Sequence, residues 1–263
     1  MQAAHLRSQL DKLLLRFSDE IYVTNDPLGE VKKFKTAADR EVASFVASGF
    51  AFGNIKSIMA HLRKIWKIIG SEPAEFAKAH FHNWRSNPFE NIKYRWITPG
   101  ATSALFHVLG EMLRSYGSLE RFFASSGQGE MRGKLQSFCE RAVSLSPEKL
   151  DKPDSRGLKY FFSPPGSGSA CKRLNLFLRW VVRKDSPDLG LWSEPAPSEL
   201  VIPLDVHVAR AATALGLTRR KSKRWKTAQE ITESLLVIDP QDPLKYDFAL
   251  HKIGVAGGDA SKL

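Results

Sequence analysis

The sequence has little cysteine: Cys139 and Cys171 are the only two. Two thiols cannot build a disulfide framework, nor supply the four thiolates of an iron–sulfur cluster. The chain therefore reads as a reduced, cytoplasmic protein, with no metal site and no cofactor expected. No run approaches 18 uninterrupted apolar residues, so no membrane-spanning helix and no membrane partner are expected. Residues 1–17 carry charges throughout and lack the apolar core of a signal peptide. Alternating strand patterns and internal repeats are missing too. Acidic residues are scarce beside basic ones: 28 Asp and Glu against 39 Lys and Arg give a net charge of +11. A surplus of that size is commonly matched by a polyanion, either nucleic acid or an acidic membrane surface. A merely basic globular protein is the alternative.

What is present is helical periodicity. Leu6, Leu10, Leu13, Leu14 and Phe17 recur at helical spacing. Residues 25–27 read as a break. Asp39 is placed to cap a helix from Arg40, with Val42, Phe45, Val46 and Gly49 on one face. Ile55, Ile58, Met59, Leu62, Ile65, Trp66 and Ile69 form a second apolar face, stopped by Gly70. Further helices are predicted over 73–81, 102–116, 118–123, 131–143, 169–183, 206–215, 225–238 and 243–254. Residues 147–165 and 184–203 read as connecting regions, and the tail after Val255 as frayed. The fold class is all-α. The expected organisation is N-terminal helices over 1–35 that complete the second of two helical subdomains, a first subdomain over 36–150, a second over 151–255, and a tail over 256–263.

The segment Ser163-Pro164-Pro165-Gly166-Ser167-Gly168-Ser169-Ala170-Cys171-Lys172-Arg173 places two glycines, one residue apart, just before a helix. Glycine admits positive φ and lets backbone N–H groups approach a ligand closely. With the helix dipole, such a turn can bind phosphate. Gly166, Ser167, Gly168, Ser169 and Arg173 are therefore candidate DNA-backbone contacts, and Lys172, Arg179 and Arg183 add charge to the same helix. An ordinary Pro-Gly turn is the plain alternative.

A second segment, Pro203-Leu204-Asp205-Val206-His207-Val208-Ala209-Arg210, puts Asp205 where a helix N-cap belongs, and capping alone would account for it. Together with the glycine turn, however, this segment and the following Ala214-Leu215-Gly216-Leu217 resemble the helix-hairpin-helix DNA glycosylases, among them endonuclease III and the 8-oxoguanine glycosylases. Over roughly residues 25–255 the chain also resembles a bacterial family known as domain of unknown function 2400. The glycosylase resemblance implies a helix-hairpin-helix motif in the second subdomain and a cleft between the two. It maps an invariant aspartate onto Asp205, the hairpin glycines onto Gly166 and Gly168, and the lysine of strand-cleaving members onto Lys172. It also places Asn54 on a polar turn entering the DNA or base pocket. Asp205 follows Lys172 by 33 positions, much further than in endonuclease III and closer to the archaeal 8-oxoguanine glycosylase branch.

What the resemblance implies is a base-excision repair enzyme. It flips a damaged nucleotide out of double-stranded DNA, favours 8-oxoguanine or a related oxidised purine, and nicks the strand through a Schiff base on Lys172. Asp205 stabilises the oxocarbenium character at the sugar and accepts a proton. A monomer associated with the nucleoid follows from this reading. Two readings stay open beside it: a monofunctional glycosylase in which Lys172 only binds phosphate, and a non-catalytic DNA-binding module. His207 is a candidate phosphate contact or a packing residue. Asp247 and His251, four apart on one helical face, line a base pocket or form a structural pair. Cys171 is a nucleophile beside Lys172 or a small core residue. The run Arg219-Arg220-Lys221-Ser222-Lys223-Arg224-Trp225-Lys226 contacts DNA or is simply solvated. Among the six tryptophans, those that would stack on a base cannot be told from core residues by pattern.

Overall fold

The computed structural model describes residues 2–17 and 26–258. Among these residues it has thirteen α-helices and no strand beyond an isolated bridge between Tyr94 and Ile97. The chain divides into two compact units, Val23–Pro164 and Met1–Tyr22 with Pro165–Leu263. The sequence pattern predicts boundaries near 35 and 150. Helix α1 (Gln2–Phe17) belongs to the second unit, whereas the short helix at 27–31 and the helix at 152–161 belong to the first.

The first unit holds α2 (Pro27–Val31), α3 (Ala37–Gly49), α4 (Ile55–Ile69), α5 (Pro73–His82), α6 (Pro99–Tyr116), α7 (Leu119–Ala124), α8 (Met131–Ser144) and α9 (Lys152–Phe161). Its core is rich in phenylalanine: Phe45, Phe50, Phe106, Phe122, Phe138, Phe161 and Phe162 are all fully buried. Helices α5 and α6 pack closely because Gly110 has no side chain; a Cβ there would lie 2.2 Å from the Ala77 carbonyl oxygen.

Three sequence expectations are corrected in this unit. Helix α3 is capped by Thr36, whose Oγ1 accepts from the Asp39 amide, and not by Asp39. The Asp39 carboxylate instead accepts from the Ala74 amide at the start of α5. Residues 25–27, read as a break, include a helix start: the Asp26 side chain caps α2 and Pro27 occupies its first turn. The 147–165 connecting region contains α9. Its proline lies in the first turn, where no N–H is required, and the Asp151 side chain accepts from the Asp154 amide. Gly157 of α9 lies against α6, where a Cβ would come 2.5 Å from that of Ala101.

The second unit adds α10 (Lys172–Val182), α11 (Val206–Ala214), α12 (Trp225–Ile238) and α13 (Asp247–Val255) to α1. α1 packs on α12 and α13, and the Tyr246 hydroxyl donates to Asp11 at 2.8 Å. The loop after α10 folds back onto it: the Leu189 and Trp192 amides donate to the Trp180 and Val181 carbonyls. α11 and α13 are the most intimate pair. At Gly254 the chains come so close that a Cβ would lie 2.0 Å from the His207 carbonyl oxygen. That contact fixes the start of α11, where the candidate site lies.

Candidate active site

Lys172 is the first residue of α10 and Asp205 is the N-cap of α11. The two helix starts meet, and Lys172 Nζ lies 3.4 Å from Asp205 Oδ2. The two carboxylate oxygens of Asp205 have separate partners. Oδ1 accepts from the His207 and Val208 amides at 2.8 and 2.9 Å, which caps α11. Oδ2 faces the amine. Both side chains keep a share of solvent, 36% of Lys172 and 17% of Asp205, so the pair is reachable from outside.

Burial pushes the Asp205 carboxyl up. The Lys172 ammonium, the two capping amides and His251 together outweigh it and hold the group below the usual carboxylate range. His251 follows the opposite logic. Burial, helped by His207 and Lys172, lowers its imidazole below 6.5 against the pull of Asp205 and Asp247. The His207 and His251 rings meet at 5.1 Å, edge to face, and His207 Nδ1 is buried without a hydrogen-bond partner.

Asp247 lies one turn before His251 on α13 and is 6% exposed. Its Oδ2 accepts from Arg179, while its Oδ1 is buried with no hydrogen-bond partner. Burial pushes its carboxyl above the ordinary range although Arg179 pulls it down. Arg179 also donates to Asp188 at 3.2 Å, and Arg183 donates to Asp188 and Asp242. The expectation that Arg179 and Arg183 serve a phosphate backbone is therefore corrected: both are buried and neutralised inside the unit. Their partners Asp188 and Asp242 were missed. The signal was the apolar run Phe177, Leu178, Trp180, Val181 and Val182, which buries everything on that helix turn and so obliges the arginines to find carboxylates.

The turn before α10 is tight. Pro165–Ser167 form a single 3-10 turn, with Gly166 and Ser167 exposed and Gly168 half-buried at φ 82°. The Ser169 hydroxyl accepts from the Cys171 amide at 3.0 Å. Cys171 takes the left-handed conformation at φ 51° and gives α10 no side-chain cap. Its thiol is 3% exposed, and burial pushes it up to about 12, so of its two readings the core residue is the one that fits. Arg173 stays half-exposed beside Lys172.

Asn54 belongs to the other unit. Its side chain accepts from the Ser57 amide at 2.8 Å and caps α4, which accounts for it locally. In the basic run Arg219 to Lys226, all but Ser222 and the buried Trp225 are exposed cations, and Arg220 pairs with Glu230. Among the described residues, no group of three or more His, Cys, Asp or Glu is placed to hold a metal ion. No described helix is long and apolar enough to cross a membrane.

Residues 26–256 match the family described as Protein of unknown function (DUF2400). The chain belongs to this family. The match runs through both units and includes Lys172, Asp205, Asp247 and His251, in line with the resemblance over 25–255. No curated protein and no solved structure matches the chain.

Proposed function

We propose that this protein is a DNA glycosylase that excises a damaged base from double-stranded DNA and then nicks the strand through a Schiff base. The observation that carries the reading is the 3.4 Å approach of Lys172 Nζ to Asp205 Oδ2 across 33 positions of chain. Capping takes up one oxygen of Asp205 and leaves the other aimed at a partly exposed amine. That is the geometry a lysine nucleophile and its proton acceptor require. The glycine turn and Arg173 lie directly before and beside Lys172, where they suit a DNA phosphate.

In the proposed reaction the damaged nucleotide swings out of the stack, at a cost of a few kcal/mol that is smallest for a poorly stacked base. Lys172 gives up a proton towards Asp205, and its lone pair forms a bond to C1′ as the glycosidic C–N bond breaks. The base leaves with the bonding pair and takes up the proton that Asp205 received, which restores the carboxylate. The carboxylate steadies the positive character at the sugar while this happens. Ring opening gives the imine, loss of a C2′ proton expels the 3′ phosphate, and water then frees the lysine. The long Lys172–Asp205 spacing, which resembles the archaeal branch, makes 8-oxoguanine or a related oxidised purine the favoured substrate.

Borohydride trapping on a duplex carrying 8-oxoguanine tests the reading. The wild type is expected to form a covalent adduct that Lys172→Gln abolishes, and Asp205→Asn is expected to lose base release. If the wild type releases base without nicking or forming an adduct, and Lys172→Gln keeps that release while Asp205→Asn loses it, Lys172 is a phosphate contact and the enzyme is monofunctional. Full base release by both variants would refute the assignment. So would the absence of any release by the wild type across a panel of oxidised and alkylated duplexes.

A further inference from the structure

The first unit carries an aromatic surface beside the Asn54 turn, apart from Lys172 and Asp205. Three segments build it: the turn between α3 and α4, the loop before α6, and the last turn of α9. The Phe52 ring lies 5.0 Å from Trp96 and 5.0 Å from Tyr160, and Trp96 meets Tyr160 edge to face at 5.3 Å. Tyr94 closes the group from below, 6% exposed and 5.0 Å from Phe52. The arrangement is pinned and not a chance cluster. The Tyr94 hydroxyl donates to the Phe52 carbonyl at 2.5 Å, and Gly53, at φ 107°, leaves no room for a Cβ beside the Tyr94 hydroxyl and the Arg95 guanidinium, both 2.9 Å away.

Trp96 is 46% exposed and Ile55, three residues after Phe52, is 44% exposed. Trp180, Trp192 and Trp225 are buried, and Trp66 and Trp84 are half-buried. An indole left that open on a braced platform presents a large apolar face to solvent among the described residues. Basic groups outnumber acidic ones around it, although the Asp154 carboxylate, which accepts from Thr98 two residues after Trp96, lies close by. Residues 52–56, 93–97 and 156–160 hold five basic residues, Lys56, Lys93, Arg95, Arg156 and Lys159, all exposed, and no acidic residue. Arg95 also lies over the Phe52 ring at 5.9 Å. An apolar protein partner would meet five exposed cations here. A ligand with flat apolar rings on an anionic backbone meets complementary groups at every point.

We infer that this surface binds single-stranded DNA by stacking an unpaired base on Trp96, with Lys56, Lys93, Arg95, Arg156 and Lys159 on the flanking phosphates. The inference stands apart from Lys172 and Asp205, because the ligand carries no lesion and no bond is broken.

The experiment is fluorescence anisotropy of the full chain with a labelled, undamaged dT oligonucleotide of a dozen nucleotides, beside an abasic strand with the same phosphates and no bases. The wild type should bind dT more tightly than the abasic strand. Trp96→Ala should weaken dT binding about five- to hundred-fold, the range of one lost stacking contact, and leave abasic binding unchanged. Trp96→Phe should keep most of the preference for dT. Equal binding of dT by wild type and Trp96→Ala would overturn the inference. So would a wild type that cannot tell dT from the abasic strand, since attraction to phosphate alone would then explain any binding.

Discussion

Gly254→Ala sets two effects of known size against each other at the point where α13 crosses α11. In a helix, alanine is favoured over glycine by about 0.8–1.0 kcal/mol. Here, however, the added methyl would lie 2.0 Å from the His207 carbonyl oxygen, 2.4 Å from its carbon and 2.7 Å from its Cα. The obstacle is backbone, so no side chain can swing aside, and the helices must part by more than an ångström. Overpacking of this kind costs about 1–3 kcal/mol and sometimes more. The variant should lose up to roughly 2 kcal/mol net, which at about 2–4 °C per kcal/mol lowers Tm by up to roughly 8 °C. Gly133→Ala is the control: it lies on α8 with nothing within 4 Å of the new methyl, so Tm should hold or rise. The two are compared by scanning calorimetry. His207 also holds Asp205 through its amide, so parting the helices there should disturb the Lys172–Asp205 pair and cut adduct formation by more than the Tm change explains. A Gly254→Ala protein more stable than the wild type by the full alanine gain of about 0.8–1.0 kcal/mol would refute the close crossing on which the site's placement rests.

The capping and charge roles of Asp205 should separate in urea titrations: Asp205→Asn keeps an oxygen for the His207 and Val208 amides, whereas Asp205→Ala loses about 0.5–2 kcal/mol of cap stability. The native carboxyl titrates below its ordinary 3.8, so the charge contributes above that value and its contribution is lost as pH falls through the lowered native value; a stability gap between wild type and Asp205→Asn that does not narrow as pH falls below 3.8 would contradict this. His61 is 5% exposed between the Phe50 and Tyr94 rings, and burial lowers it from 6.5 to about 4. It stays neutral in the native state, so its contribution of up to about 3 kcal/mol is present above pH 6.5 and fades towards pH 4, and His61→Phe should flatten the stability profile across that window.

Periodicity read the long helices well because their apolar faces are continuous. Trp225–Ile238 starts and stops where the pattern does, and Gly70 and Gly117 end α4 and α6 with positive φ. It misread segments whose composition suits either a loop or a helix. Residues 152–161 hold Pro153, Asp154, Ser155 and Gly157, all loop-like in isolation. In place they form a first-turn proline, a first-turn carboxylate and a glycine required by the approach to Ala101. Asp39 was misread for a related reason. Asp and Thr both cap helices, and the choice between Thr36 and Asp39 was settled by the Ala74 amide, 35 positions away, which claims Asp39.

For the candidate site the limit was of another kind. Sequence could offer capping and chemistry for Asp205 only as rival explanations, because it sees a residue and not its two oxygens. With Oδ1 held by two amides, the carboxylate has little freedom to turn, and Oδ2 is presented to Lys172 as a consequence. The cap is then the device that orients the group. Arg179 shows the converse. Its charge suggested DNA, but its position on a helix turn apolar all round leaves it paired with Asp188 and Asp247 inside the unit. A cation attracts phosphate only where it is not already neutralised, so under the proposed function exposed cations of the 219–226 run such as Lys223 are the ones to give DNA affinity its dependence on salt.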